Sequence, residues 1–120
     1  MNETIAKKWV KALRSGKYKQ AKAVLKYSGG GYCCLGVLQE CVLKLPIYPN
    51  EALLSAEAFN AADMSTDDGS VLLSTDDGCL SDADPIPFGR QKLMSLAEAN
   101  DAGKRFPAIA NWIEKNWQHL

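Results

Sequence analysis

One stretch of the sequence, from about Tyr32 to Lys44, is apolar on almost every side when drawn as a helix. Its apolar positions are Cys34, Leu35, Val37, Leu38, Cys41 and Val42. A helix that is apolar all round is buried on all sides. No apolar run in the chain approaches the ~18 residues that would span a bilayer. The sequence therefore predicts a central buried helix in a soluble domain.

Amphipathic segments on both sides of this stretch predict the helices that cover it. Residues 3–15 carry apolar side chains at helical spacing, with Asn2 as the cap and Gly16 as the stop. The lysines of this segment fall on the opposite, polar face. Further helical segments are predicted at 17–27, 50–62, 90–99 and from Pro107 onward. The last of these places Ile109, Trp112, Ile113 and Trp117 toward the core.

An acidic repeat lies between these helices, because Ser65–Gly69 recurs nine residues later as Ser74–Gly78. Each copy ends in Asp-Gly, a strong turn signal, and predicts a small β-hairpin of 70–75 against about 79–81. The spacing lacks the pattern of a calcium-binding loop, so no metal is expected here. The predicted fold is α+β and predominantly helical, with four to five helices around the central one and a small acidic β-hairpin. It forms a single domain, 1–120, in which 65–89 is an inserted hairpin and proline-containing linker.

Charge is distributed unevenly along a chain of 120 residues whose formal net charge is zero. Residues 1–30 carry eight basic side chains and one acidic, whereas residues 31–89 carry one basic and ten acidic. This asymmetry indicates either a basic face for an anionic partner or two segments that neutralise each other, and we favour the second. The balanced total predicts against direct nucleic-acid binding. With no apolar leader at the N-terminus, a cytoplasmic protein without membrane contact is expected.

Four cysteines, at 33, 34, 41 and 79, form no C-x-x-C pair, and the only histidine is His119. Free thiols and no metal or other cofactor are therefore expected. Cys33 and Cys34 follow a triple glycine at a helix start, where a thiol could become a nucleophile. A catalytic cysteine would need a positioned histidine, and His119 lies at the end of the chain. Small core thiols are the favoured interpretation.

A polar cluster follows the first predicted helix, where Arg14, Ser15, Tyr18 and Gln20 surround a glycine turn. An arginine at a helix C-terminus complements the helix dipole and needs no ligand. The same residues could equally recognise a phosphate, a carboxylate or an acidic side chain of a partner. The sequence leaves these two interpretations open.

Several strings resemble a family of small, mostly uncharacterised phage and prophage proteins. They are W-x3-LRSGKY-x-Q from Trp9, YCCLGVL from Tyr32, ND-x-G from Asn100 and F-x2-IA-x2-IE from Phe106. The resemblance implies a phage setting, and hence a host-cell cytoplasm. Small phage proteins of this kind are often accessory or counter-defence factors that block a host protein or sequester a signal molecule.

The resemblance marks polar residues at both ends of the chain, and these form the candidate ligand- or partner-binding site. They are Arg14, Ser15, Tyr18, Gln20, Asn100 and Asp101. We predict that Asp101 lies within hydrogen-bonding reach of the turn from Arg14 to Gln20. A buried cluster would be a structural clasp, and an open one a binding site.

Three hypotheses for function remain. The first is a non-enzymatic phage accessory protein that binds a host protein or a small anionic, nucleotide-like ligand. The second is a small enzyme that uses Cys34 or the group Arg14, Tyr18 and Asp101. The third is an acidic nucleic-acid mimic or regulator that uses the middle of the chain. Whether the protein forms a homo-oligomer is left open.

Overall fold

The computed structural model describes residues 1–69, 71–74 and 91–120, with backbone alone for the two strands. Within these residues the protein is mostly helical. The elements in chain order are α1 (Glu3–Arg14), α2 (Cys34–Gly36) with its π-helical continuation (Val37–Val42), α3 (Ala56–Ala61), β1 (Val71–Ser74), β2 (Gln91–Met94), α4 (Leu96–Asp101), α5 (Phe106–Asn116) and a final 3-10 turn (Trp117–His119). No helix in the described part of the chain is long and apolar enough to cross a membrane.

Helix α1 has the N-cap and the glycine stop that its sequence predicts, and it ends at Arg14, one residue before the predicted end. The Asn2 Oδ1 accepts a hydrogen bond of 3.0 Å from the amide of Ile5, which satisfies a free donor of the first turn. Gly16 ends the helix with a φ of +74°, a conformation that glycine adopts without steric cost. The buried face consists of Ala6, Trp9, Val10 and Leu13.

The central buried helix is confirmed as α2 and its π-helical continuation. Cys34, Leu35, Val37 and Leu38 are completely buried. The indole Nε1 of Trp9 donates to the carbonyl of Cys34 across 2.9 Å, which ties α1 to this helix. The helical conformation ends at Val42 rather than Lys44.

The segment at 17–27 is not helical, so that prediction is wrong. Its backbone bonds instead to the residues that precede α2: the amide of Ala21 donates to Tyr32, and the amide of Tyr32 donates to Lys19, at 2.7 and 2.8 Å. The amide of Cys33 donates to Leu25 across 3.1 Å. These long-range bonds satisfy the backbone groups that a local helix would have paired, so tertiary contacts override weak helix propensity.

One glycine allows this segment to lie directly on the central helix. A Cβ atom at Gly36 would lie 1.8 Å from the carbonyl oxygen of Leu25, well inside any van der Waals contact. Leu25 itself is completely buried. The close approach of the two backbones therefore requires glycine at position 36.

Two other predicted helices are shorter than expected, because each begins at a serine cap. Ser55 caps α3 by accepting from the amide of Ala58 at 3.1 Å. Ser95 caps α4 by accepting from the amide of Glu98 at 3.3 Å. The residues before Ser95 form strand β2 instead of a helix turn, so the prediction of a helix over 90–99 is only partly right.

Strand β2 runs antiparallel to β1, with Val71 opposite Met94. The predicted partner strand at 79–81, its turn and the proline linker lie outside the described residues. The acidic hairpin therefore stays a prediction.

Helix α5 begins at Phe106 with a proline in its first turn, as the sequence predicts. Its buried face includes Ile109, Trp112 and Ile113. Helix α5 packs along α1 more extensively than along any other helix of the described residues. A groove lies between these two helices, lined by residues of α1 and by Glu114 and Trp117.

Candidate functional site

The six predicted site residues lie in different places, and the most buried of them is Asn100. Its side chain is completely buried at the end of α4. The Oδ1 atom accepts from Gln20 Nε2 at 2.9 Å and from the amide of Cys34 at 3.1 Å. The Nδ2 atom donates to the carbonyl of Ala21 at 2.7 Å. Asn100 therefore joins the segment after α1 to the start of the central helix.

Gln20 extends the same network to the start of α5. Its Nε2 also donates to the carbonyl of Lys104 at 2.6 Å, and its Oε1 accepts from the amide of Phe106 at 3.2 Å. The side-chain amides of Gln20 and Asn100 therefore form their hydrogen bonds with other groups of the protein. This pair is a structural clasp, as buried polar groups that are fully hydrogen-bonded usually are.

The predicted pairing of Arg14 with Asp101 is not made. The Arg14 guanidinium donates to Glu114 Oε2 at 2.8 Å and to Asn111 Oδ1 at 2.7 Å. The Asp101 carboxylate accepts from the amide of Ala23 at 2.8 Å. The reason is the packing of α1 along α5, which places the last turn of α1 beside Glu114 rather than beside the end of α4.

The pair of Arg14 and Glu114 lies at one end of a groove between α1 and α5. The groove has a volume of about 770 Å³. Its apolar lining comes from Ala6, Val10 and Trp117. Four cationic side chains, those of Lys7, Lys11, Arg14 and Lys17, line it with one carboxylate, that of Glu114.

The four cations are not equally neutralised. Arg14 is paired with Glu114, and the hydrogen bond from the guanidinium lowers the pKa of that carboxyl. Lys7 lies 3.5 Å from Glu3 in a highly exposed pair, which contributes little attraction. Lys11 and Lys17 form no ion pair with any residue that the structure describes. The groove therefore has an excess of positive charge.

Two of the predicted residues lie beside the groove rather than in the clasp. Ser15 lines it, although its hydroxyl donates to the carbonyl of Ala12 at 2.7 Å and so also closes the end of α1. Tyr18 lines a neighbouring depression of about 340 Å³ with Lys8, Lys11, Lys17 and Lys44. The edge of its ring packs on Tyr32, with ring centroids 5.9 Å apart. Burial raises the pKa of the Tyr18 hydroxyl.

Residues 1–117 match the model of a family described as a domain of unknown function, DUF8296. The chain belongs to this family. The match includes α1 and α5, so the family model covers both sides of the groove. No curated protein and no solved structure matches the chain. The phage setting that the resemblance implies stays a prediction.

The buried thiols lack the features of an activated nucleophile. Cys34 is completely buried, and burial raises its pKa well above the ordinary value. Its thiol lies 3.6 Å from the carbonyl of Leu96, to which it donates. Cys33 is also buried, with a raised pKa for the same reason. A thiol that is held protonated at neutral pH is a poor nucleophile, and the core assignment of Cys34 is confirmed.

Cys41 is only half-buried and borders the depression of Tyr18, so its assignment to the core is only partly right. Within the described part of the chain, no three cysteine, histidine or acidic side chains cluster as metal ligands would.

Sequence reasoning missed Lys7, Lys11 and Lys17 as candidate site residues. Lys7 and Lys11 were assigned to the polar face of the first helix, Lys17 to the start of the predicted helix at 17–27, and Trp117 to the core. Each assignment is locally reasonable, since the groove exists only where α5 lies beside the edge of α1. The run of lysines in residues 1–30 was the available signal.

Proposed function

We propose that this protein acts by binding a small anionic ligand in the groove between α1 and α5. The observation that carries the proposal is an apolar floor bordered by four cations and a single carboxylate. A volume of about 770 Å³ lies in the range of small-molecule sites. The favoured mode of action is sequestration of the ligand, in keeping with the phage setting that the resemblance implies.

The lining indicates which ligand chemistry fits. An apolar or aromatic part of the ligand would lie on Val10 and the ring of Trp117, where its apolar surface is removed from water. A phosphate, sulfonate or carboxylate group would lie near Lys11 and Lys17, whose charges are not neutralised by a described carboxylate. A nucleotide has both parts and is one member of this class.

The alternatives receive less support from the described residues. A thiol-dependent enzyme would need Cys34 accessible, and it is completely buried. An enzyme built on Arg14, Tyr18 and Asp101 would need these residues together, whereas Arg14 and Asp101 bond to different partners. Blocking of a host protein remains the alternative mode of binding at the same basic groove.

The test uses anilinonaphthalene sulfonate, a fluorescent probe with an anionic group on aromatic rings. We expect saturable binding to the folded protein, and a loss of affinity of roughly tenfold in the double variant K11E/K17E, about 1.4 kcal/mol. Lys115→Glu is the control for a charge reversal outside the groove, because Lys115 is exposed on α5 and is not among the residues that line this groove. Equal affinity of the charge-reversed variant and the control would disprove the proposal.

A second readout locates the bound probe. Energy transfer from tryptophan to the probe should fall in Trp117→Phe, because Trp117 lines the groove. Nucleotides, acyl phosphates and aromatic carboxylates are then ranked by displacement of the probe. Displacement should weaken at high salt, because mobile ions screen exposed charges.

A further inference from the structure

Two tyrosine rings, those of Tyr27 and Tyr48, are exposed to solvent on loops of the protein. Tyr27 is 58% exposed and Tyr48 is 65% exposed. Both line one depression of about 400 Å³, together with Lys22, Lys26 and Pro49. Paired exposed aromatic rings bordered by cations differ from the single exposed apolar side chains that most surfaces carry.

Each tyrosine lies in a hydrogen-bonded turn of the backbone. The amide of Tyr27 donates to Gly31 at 2.7 Å, and the amide of Gly30 donates back to the Tyr27 carbonyl at 2.8 Å. Gly30 has a φ of +103°, which favours glycine in this turn. The carbonyl of Tyr48 accepts from the amide of Glu51 at 3.3 Å.

The two turns are also joined to each other. The amide of Leu25 donates to the carbonyl of Glu51 across 2.7 Å. Leu25 is completely buried, so this bond anchors both loops to the core. The backbone that carries the two rings is therefore positioned before any ligand binds, which reduces the entropy lost on binding.

Positive charge continues beyond the tyrosines. Lys22 and Tyr27 also line an adjoining depression of about 480 Å³, to which Lys19 contributes. Lys26 is paired with Glu40 at 2.9 Å. Lys19 and Lys22 have no ion-pair partner among the residues that the structure describes.

Acidic side chains are absent from the described lining of both depressions. Two carboxylates near these loops already have partners, Glu40 in Lys26 and Asp101 in the amide of Ala23, and the lining includes neither these nor Glu51 of the Tyr48 turn. The surface therefore combines two stacking rings with at least two cations whose charge is not neutralised.

We propose that this surface, made by Lys19, Lys22, Tyr27 and Tyr48, binds single-stranded nucleic acid. Bases stack on the tyrosine rings, and the lysines contact the phosphates. This combination of aromatic platforms and cations is how proteins hold single strands without sequence preference. A duplex does not fit, because its bases are already paired and stacked.

Two rings in one depression, and an adjoining depression that shares Tyr27, favour more than one nucleotide over a free mononucleotide. The surface is separate from the groove between α1 and α5, so it does not depend on the ligand proposed there. The net charge of zero predicts against nucleic-acid binding, but it averages over this basic face and the acidic middle of the chain.

The test measures anisotropy of a short fluorescein-labelled oligo(dT) with the full-length protein at low salt. We expect Tyr27→Ala and Tyr48→Ala each to weaken binding roughly tenfold, the usual effect of removing one stacking ring. Lys22→Ala should flatten the dependence of affinity on salt concentration, because one phosphate contact is lost. Phenylalanine at either tyrosine position should retain binding.

Controls separate this surface from the rest of the molecule. Leu53→Ala removes another exposed apolar side chain, 42% exposed, that lines neither depression, and it should bind like the parent protein. Lys11→Ala removes a cation of the groove between α1 and α5 that lines neither tyrosine depression, and it should also leave oligo(dT) binding unchanged. Circular dichroism confirms that each variant is folded.

Three results with the oligonucleotide and one with a mononucleotide would overturn the proposal. The three oligonucleotide results are no measurable binding of oligo(dT), equal binding of a duplex of the same length, and unchanged affinity in both tyrosine variants. Competition by thymidine monophosphate at an equal nucleotide concentration would also overturn it, in favour of a mononucleotide site.

Discussion

Gln20 and Asn100 are separated by 80 positions in the chain, yet their side-chain amides are joined by a hydrogen bond of 2.9 Å. Around this bond, backbone groups of three segments find partners: Ala21 after α1, Cys34 at the start of α2, and Phe106 at the start of α5. The pair therefore fixes how the non-helical segment after α1 enters the core. Gln20 also lines the depression to which Lys19 and Lys22 contribute, so the pair connects the core to this basic surface.

Removal of Asn100 tests the clasp. Asn100→Ala should lower the free energy of unfolding by about 3 kcal/mol, because the amide of Cys34, the carbonyl of Ala21 and the Gln20 side chain lose a buried partner. Urea denaturation measures the change. Asn111→Ala is the control: the side chain of this exposed residue accepts from Arg14, and we expect a cost of about 0.5 kcal/mol. Equal costs for the two variants would contradict the structural role of Asn100.

The close contact at Gly36 gives a second test. Gly36→Ala should destabilise the protein by about 3 kcal/mol or more, since the new Cβ would lie 1.8 Å from a backbone oxygen that cannot move freely. Gly29→Ala is a suitable control, because its Cβ would meet only the ring of Tyr27 at 3.3 Å. Thermal unfolding of both variants makes the comparison. A Gly36→Ala protein as stable as the parent would show that the two backbones are farther apart.

The thiols should react in an order set by burial. Cys34 should resist alkylation by iodoacetamide until the protein is unfolded, because it is completely buried with a raised pKa. Cys41 is only half-buried and should therefore react before Cys34. Peptide mapping by mass spectrometry assigns each site, and Cys34→Ala should cost about 1–2 kcal/mol. Rapid alkylation of Cys34 in the folded protein would restore the hypothesis of a thiol enzyme.

Glu40 should make stability depend on pH in the acid range. The hydroxyl of Tyr32 donates to Glu40 at 2.6 Å and Lys26 donates to it at 2.9 Å, and these bonds lower the pKa of the Glu40 carboxyl. A lowered pKa in the folded state stabilises the fold above the unfolded pKa of about 4.3. That stability is lost as pH falls through the folded pKa.

Urea denaturation at a series of pH values from neutral to acid measures this effect. Glu40→Gln should reduce the acid dependence, because the titrating group is gone. Glu57→Gln, at an exposed position of α3, should leave the Glu40 contribution in place. If the free energy of unfolding falls with pH equally in Glu40→Gln and in the parent protein, Glu40 is not the source of the acid dependence.

The sequence by itself determined the elements whose signals are local. The central buried helix follows from an all-round apolar run, and α1 from Asn2, Gly16 and an apolar stripe between them. The start of α5 follows from its proline. Each of these signals lies within the element that it defines, so no distant contact was needed to interpret it.

Only the tertiary structure decided the segment at 17–27 and the pairing of the polar residues. Local propensity favoured a helix there, but the backbone finds better partners at residues 31–33, and Gly36 allows the approach. The sequence analysis placed Gln20 and Asn100 in one candidate site, and their side chains are indeed hydrogen-bonded. It paired Arg14 with Asp101, whereas Arg14 bonds to Glu114. Helix α5 lies beside α1, and that packing selected Glu114 for Arg14. Periodicity places a side chain on a face of its own helix, but which helix packs beside that face depends on the whole core.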